Sequence, residues 1–251
     1  MLENRNQRII SVCKFTDPGG RMENEDSVGI FREEGRGVLA ILADGLGGHG
    51  GGKAASSAAV ESVYRDYMNA FVNVPEEFNI WFQKANQEVL DMQTPECEMK
   101  TTLVCLLIRD RTAMWAHIGD SRLYHFVDRK LVFRTFDHSV SQMAVLRGEI
   151  TEDEIRGHAD RNKLLKALGR EETISIDVSE ETDLSGSEHA FLLCSDGFWE
   201  YVTEGDMQKT LKQSVTAEEW LRRMVKILKK NAKPGNDNNS AVAVLYRGER
   251  L

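Results

Sequence analysis

The chain has 251 residues, enough for one large domain or two small ones, and its 41% hydrophobic and 29% charged residues are ordinary for a soluble globular protein. A net charge of −8 argues against a general nucleic-acid binder, which needs a basic surface to neutralise phosphate. No run approaches the roughly 18 apolar residues of a membrane span, and Met1-Leu2-Glu3-Asn4-Arg5 carries no apolar signal core. The four cysteines, Cys13, Cys97, Cys105 and Cys194, lack CxxC spacing, so free thiols in a reducing cytoplasm are expected instead of a disulfide framework.

Ile9 to Phe15 reads as a first strand and Ser27 to Phe31 as a second, separated by the polar turn Asp17 to Asp26. Val38 to Ala43 is a short branched apolar run, the pattern of a buried strand. It ends at Asp44-Gly45 in a glycine loop that feeds a helix from Ala54, whose apolar stripe runs through Ala55, Ala58, Ala59, Val63, Tyr67 and Phe71. Pro75 opens a second helix as an N1 residue, with Phe78, Trp81, Phe82, Ala85 and Val89 on one stripe. From Thr101 the pattern becomes strands on short turns: Thr101 to Ile108, Ala113 to Ile118, Leu123 to Val127 and Leu131 to Phe136. Turns this short demand antiparallel neighbours, because a parallel pair needs a crossover of a dozen or more residues. His138 to Gly169 is a polar inserted segment with short helical pieces and an N-cap at Thr151; Thr173 to Val178 and Ala190 to Cys194 return to strands. Helices over Thr203 to Lys212 and Ala217 to Lys230, then a strand over Ser240 to Tyr246, complete the chain. The order predicts two antiparallel sheets flanked by helices in one domain.

Three chemistries fit the glycine loop locally. Gly45-x-Gly47-x-x-Gly50 matches a dinucleotide fingerprint, Gly47-x-x-x-x-Gly52-Lys53 nearly matches a P-loop, and Asp44-Gly45 suits a metal ligand at a strand end. The antiparallel meander weighs against both nucleotide folds. Ala54 stands where a P-loop needs a hydroxyl for Mg²⁺, and Asp66, at the spacing of a ribose-binding acid, falls inside a helix. Lys53 is then no more than the first turn of that helix.

Acidic residues recur at strand ends: Glu25-Asp26, Asp44, Asp120, Asp196 and Asp237. Each alone is an ordinary turn former, but adjacent strands bring such ends together. Clustered carboxylates repel and need cations, and oxygen ligands with no Cys or His at ligand spacing suit Mg²⁺ or Mn²⁺ over Zn²⁺. Two such ions activate water for in-line attack at phosphorus. Arg21, four residues before Glu25, has the planar fork to hold two phosphate oxygens, which a Lys would lack.

Arg21-x-x-x-Glu25-Asp26, Asp44-Gly45-x-Gly-Gly-His49, Thr101-Thr102, Gly119-Asp120-Ser121-Arg122, Asp137-His138-Ser139, Ser195-Asp196-Gly197 and Asp237-Asn238-x-Ser240 occur in an order that resembles protein phosphatase 2C, the metal-dependent protein phosphatases. The resemblance spans Ile9 to Leu245 and is to the bacterial branch. It implies an α+β fold, a four-layer αββα sandwich, over residues 1–251, with 138–169 as a flap beside the site. It implies a phosphoserine/phosphothreonine phosphatase holding two Mn²⁺ or Mg²⁺ ions, with room for a third. Asp44 would bridge the two metals, Asp196 and Asp237 would hold the first, the Gly45 carbonyl the second, Glu25 and Asp26 would act at the second directly or through water, and Asp120 would serve the third. Phosphorylated proteins, among them a cognate Ser/Thr kinase and its targets, are the expected partners of a cytoplasmic monomer, with no nucleic acid and no membrane. The sequence departs from the family at three places. Leu46 stands where the eukaryotic branch has a histidine proposed as general acid, Lys100 replaces a small residue before the two threonines, and Ala159 replaces a flap proline. A non-catalytic relative is the alternative, which loss of Asp44, Asp196 or Asp237 would announce; all three are present. His49, His138 and His158 are read as solvated or flap-packing residues in preference to a proton-transfer set.

Overall fold

The computed structural model describes residues 9–47, 51–69 and 75–247. The chain runs β1 (Ile9–Asp17), β2 (Ser27–Glu33), β3 (Gly37–Ala43) and β4 (Gly45–Leu46), then helices α1 (Gly51–Asn69) and α2 (Pro75–Asp91). The meander follows as β5 (Lys100–Thr101), β6 (Leu103–Arg109), β7 (Thr112–Ile118), β8 (Arg122–Val127) and β9 (Lys130–Arg134). The inserted segment carries α3 (Val140–Leu146) and a 3-10 turn (Glu152–Gly157). The remainder is β10 (Asp177–Val178), β11 (Thr182–Asp183), β12 (Glu188–Cys194), α4 (Asp196–Trp199), α5 (Glu204–Lys212), α6 (Ala217–Asn231) and β13 (Asn239–Arg247). Phe71 and loop residues 48–50, which include His49, lie outside the described residues.

All pairing among these strands is antiparallel. One sheet has the order β10-β7-β6-β3-β2, with β11 also on β7; the other has β1-β13-β12-β8-β9, and β4 pairs with β5. Both faces of β3 are buried, which is why it reads as an unbroken apolar run and not as an alternation. Val38, Ala40 and Leu42 point into the core between the sheets, against Phe191, Leu193, Val242 and Val244. Leu39, Ile41 and Ala43 point outward to Val63, Phe78 and Phe82 of α1 and α2. The second sheet repeats this arrangement, with Tyr124, Leu192 and Ala243 facing Trp220, Met224 and Leu228. These three apolar layers make a four-layer αββα sandwich.

The helix ends follow local chemistry. Thr216 Oγ1 accepts from the Glu219 amide (3.1 Å), and α6 has Glu218 and Glu219 in its first turn and Lys229 and Lys230 in its last, which suits the helix dipole. The Thr151 amide donates to Glu154 Oε2 (2.7 Å), but the element so capped is a 3-10 turn. Thr173 to Val178 differs from the strand expected there. Ile174, Ile176 and Val178 do alternate inward, yet only Asp177 and Val178 pair, opposite His117 and Ala116, because β7 ends one residue later at Ile118. The inserted segment is tied at both roots by backbone bonds, His138 N to Gly119 O (2.9 Å) and Leu168 N to Thr101 O (2.9 Å).

Phe191 is fully buried between the sheets and stacks on His125 (4.4 Å, 7°). Phe191→Ala is expected to lower the free energy of unfolding by about 3–5 kcal/mol in urea denaturation; a loss below about 1 kcal/mol would mean that the inter-sheet core is not packed as described.

Candidate metal centre

Strand register decides which side chains meet. Ser27 pairs with Ala43, Leu103 with Ile118, Cys194 with both Ala241 and Arg122, and Asp17 with Asn239. The residues just beyond these pairs therefore gather at one end of the sandwich. Glu25, Asp44, Gly45, Asp120, Asp196 and Asp237 line a cleft of about 420 Å³ there, with Arg21 at its rim. Asn162 and Leu164 of the inserted segment form its far wall beside Leu46. Asp26 is brought to the same place but lies behind the lining, almost fully buried.

The electrostatics are those of crowded acids. Burial, then the charges of Asp26, Asp196, Asp120 and Asp237, holds the Asp44 carboxyl well above the usual carboxylate range. Burial and then Asp196 and Asp137 do the same for Asp120. Burial and then Asp237 raise Asp196 to about 7, while burial, partly offset by hydroxyl donors on Ser240 and Ser195, leaves Asp26 at about 6. Glu25 is raised by burial and Glu23. One oxygen of Asp26 accepts from Ser195 Oγ (2.9 Å), and the other is buried with no partner. Carboxylates arranged this way, with a buried acceptor left over, fit hard divalent cations.

Hydrogen bonds to the backbone hold Asp44, Glu25 and Asp120 in place. The Asp44 carbonyl accepts from Thr101 Oγ1 (2.8 Å) and the Thr102 amide (2.9 Å), and the Asp44 amide donates to Thr102 Oγ1 (2.9 Å). The two threonines of the motif therefore lock the residue after β3. Asn238 ties the loop before β2 to the start of β13: its Oδ1 accepts from the Glu25 amide (2.8 Å) and its Nδ2 donates to the carbonyls of Pro18 and Glu23 (3.0 and 2.9 Å). Trp199 Nε1 donates to the Asp120 carbonyl (3.0 Å). Gly45 admits no side chain, since a Cβ there would sit 2.1 Å from the Gly52 carbonyl oxygen.

Lys53 does more than open a helix. It lies in the first turn of α1, as expected, and its Nζ donates to the Asp26 carbonyl (2.8 Å) and Ser27 Oγ (3.1 Å), pinning the chain behind the acids. Arg21 Nη2 reaches across to Asp237 Oδ2 (2.9 Å), so the fork expected to hold phosphate is anchored on a ligand candidate. Asn162, Leu164, Asn238 and Trp199 were not foreseen as site residues. Only Asn238 had a local signal, its doublet with Asp237; the others are placed by long-range packing.

No histidine or cysteine lines this cleft among the described residues. His158 Nδ1 accepts from the Asp160 amide (3.1 Å) within the inserted segment, and His138 is stacked on His117 (4.7 Å, 11°), so these two do not form a proton-transfer set. His117, His138 and Asp177 do come close together elsewhere. Within that group His117 Nε2 donates to the Phe136 carbonyl (2.8 Å) and His138 Nδ1 accepts from the Gly119 amide (3.1 Å).

The site is an oxygen-rich carboxylate cleft at the end of an αββα sandwich, a donor set whose chemistry suits hard divalent cations. A family model described as Protein phosphatase 2C matches residues 20–240, and the chain belongs to that family. It is 33% identical over 238 residues to the serine/threonine phosphatase stp of Listeria monocytogenes, covering 91% of this chain and 93% of that protein. It is 28% identical over 247 residues to the protein phosphatase PhpP of Streptococcus pneumoniae, covering 96% and 98%. Among solved structures, the phosphatase Stp1 from Staphylococcus aureus superposes with a TM-score of 0.85 at 27% identity, covering 98% of this chain and all of that one. The catalytic domain of the phosphatase PstP, solved with two manganese ions, gives 0.80 at 26% identity, covering 96% and 99%.

The raised carboxyls set a pH dependence. Unfolded, these groups titrate near 4. Between about pH 4 and the folded values of about 6 for Asp26 and 7 for Asp196, the metal-free fold holds protons that the unfolded chain has released. These groups therefore lower metal-free stability as pH rises through that window, and nothing further is lost above it. Cations compete with those protons, so the Mn²⁺-induced rise in Tm is expected to be several degrees larger at pH 7.5 than at pH 5.0, by differential scanning fluorimetry. Equal rises would contradict the assignment of these acids to the centre.

Proposed function

We propose that this chain is a metal-dependent protein serine/threonine phosphatase that uses Mn²⁺ or Mg²⁺ to hydrolyse phosphoserine and phosphothreonine in proteins. The observation that carries the reading is the convergence of Glu25, Asp44, Asp120, Asp196 and Asp237 on one cleft with Arg21 at its rim. Asp44, Asp196 and Asp237 would hold the principal ions, with the Gly45 carbonyl, and with Glu25 and Asp26 directly or through water; Asp120 would serve a third. Such ions would supply an acidified water and charge compensation for the phosphoryl group.

The chain's own residues do the rest. Arg21 spends one donor on Asp237 and turns the remainder of its fork toward phosphate oxygens. Leu46 and Leu164 give the cleft an apolar flank for the substrate side chain, and Leu46 itself carries no proton for the leaving group. Among the described residues no cysteine lines the cleft, which leaves no thiol there to take up the phosphoryl group. Residues 1–251 act as a single phosphatase domain with 138–169 as its flap, a reading supported by the family match over 20–240 and by the pairing of β1 with β13. No described helix is long and apolar enough to cross a membrane, and a monomer in the cytoplasm acting on a Ser/Thr kinase and that kinase's targets completes the proposal.

Release of phosphate from a phosphothreonine peptide with Mn²⁺ tests the core of the reading. Asp196→Ala is expected to lower kcat by at least ~10²-fold, and EDTA to abolish wild-type turnover; equal turnover by both proteins, or activity indifferent to EDTA, refutes it. Asp120→Ala is expected to reduce kcat while calorimetry still counts two bound ions. Loss of those two ions as well would move Asp120 into the principal pair.

A further inference from the structure

The turn Gly119-Asp120-Ser121 carries the proposed third-site carboxylate between β7 and β8, and Gly119 cannot hold it by a side chain. Its φ is +101°, and a Cβ would lie 2.6 Å from Thr102 Cγ2. Both backbone polar groups of Gly119 are instead taken by one residue. His138 N donates to the Gly119 carbonyl (2.9 Å), and the Gly119 amide donates to His138 Nδ1 (3.1 Å).

That second bond specifies a chemical state. Nδ1 accepts only when the ring is neutral with its proton on Nε2. The surroundings favour neutrality: burial and then the neighbouring His117 push the His138 pKa down to about 4, although Asp177 Oδ1 lies 3.4 Å from Nε2. His117 donates Nε2–H to the Phe136 carbonyl (2.8 Å) and packs its ring face against His138, which fixes the ring plane. The His138 carbonyl in turn accepts from the Leu165 amide (2.7 Å), and Val140 N, two residues on, donates to Lys163 O (2.9 Å), so Leu164 on the cleft wall is bracketed by backbone bonds from His138 and Val140.

We propose that His138 is a positioning residue for Asp120: its neutral, Nε2-protonated ring locks the Gly119 backbone so that the Asp120 carboxylate points into the cleft, and its main chain sets Leu164 from the same anchor. This rests on the reading of Asp120 given above. The role depends on an acceptor at Nδ1, and Asn at 138 keeps an acceptor near that point where Gln or Leu does not.

Two measurements test it. Long-range ¹H–¹⁵N correlation on metal-free wild-type protein is expected to show the Nε2–H tautomer for His138; an Nδ1–H tautomer, or a ring protonated at pH 7, overturns the proposal without any variant having to fold. Steady-state kinetics on a phosphothreonine peptide across a Mn²⁺ series are then compared for H138N, H138Q, H138L, D120A and D120A/H138L. H138Q and H138L are expected to lose roughly 10–100-fold in kcat as D120A does, with H138N within about threefold of wild type, as for residues that orient metal ligands. The double variant should be no worse than D120A alone. Equal losses in H138N and H138L, or additive losses in the double variant, overturn the role. If D120A matches wild type, the Asp120 reading itself falls and takes this one with it; if D120A is impaired while H138Q is normal, only the His138 role falls.

Discussion

Like charge at close quarters is the constraint on which this molecule turns. Asp26 and Asp120 are buried and Asp44 and Asp196 half-buried beside them, within each other's fields, and the loss of solvent raises every one of their carboxyls. A fold that gathers acids this way must supply both rigid backbone anchors and a counter-charge. The anchors are in the chain: the Thr101-Thr102 lock on Asp44, the Asn238 bridge, Ser195 on Asp26, and the His138 and Trp199 contacts around Asp120. The counter-charge is only partly so. Arg21 reaches Asp237 from the exposed rim, and the Lys53 ammonium serves a carbonyl and a hydroxyl beneath the site.

A second charge pair lies behind the cleft and is fully internal. Arg122 makes a two-pronged bond to Asp137 (2.8 and 2.7 Å) and stacks 3.6 Å above Trp199, whose indole nitrogen holds the Asp120 carbonyl. Both partners are nearly inaccessible to water, so Asp137 alone would be a buried charge without its counter-ion, while Arg122 also has Glu204 at 3.9 Å. The pair joins the start of β8 to the root of the inserted segment.

Much of this was legible in the chain itself. Short turns between apolar runs required an antiparallel meander, and acids beside glycine at strand ends marked the site. Legibility stopped where a residue's role is set by something far away in sequence. Thr102 meets Asp44 across 58 positions, and Asn238 meets Glu25 across 213. Thr173 to Val178 had the right alternation but outran its partner strand, which no local pattern records. Lys53 has the local pattern of a helix opener, and its contacts with Asp26 and Ser27 lie 27 and 26 positions away. Asp26 carried the same local signature as Glu25, yet register places it behind the cleft lining.

The pairing of β1 with β13 fixes where the two ends of the described chain emerge. Asp17 and Asn239 face each other beside the cleft, whereas Ile9 and Arg247 face each other at the opposite end of the strands, about 27 Å away at a strand's rise per residue. The described chain thus begins and ends at the floor of the sandwich, a full strand's length from the acids, so the same strand pair that carries Asn239 to the cleft carries both described ends away from it.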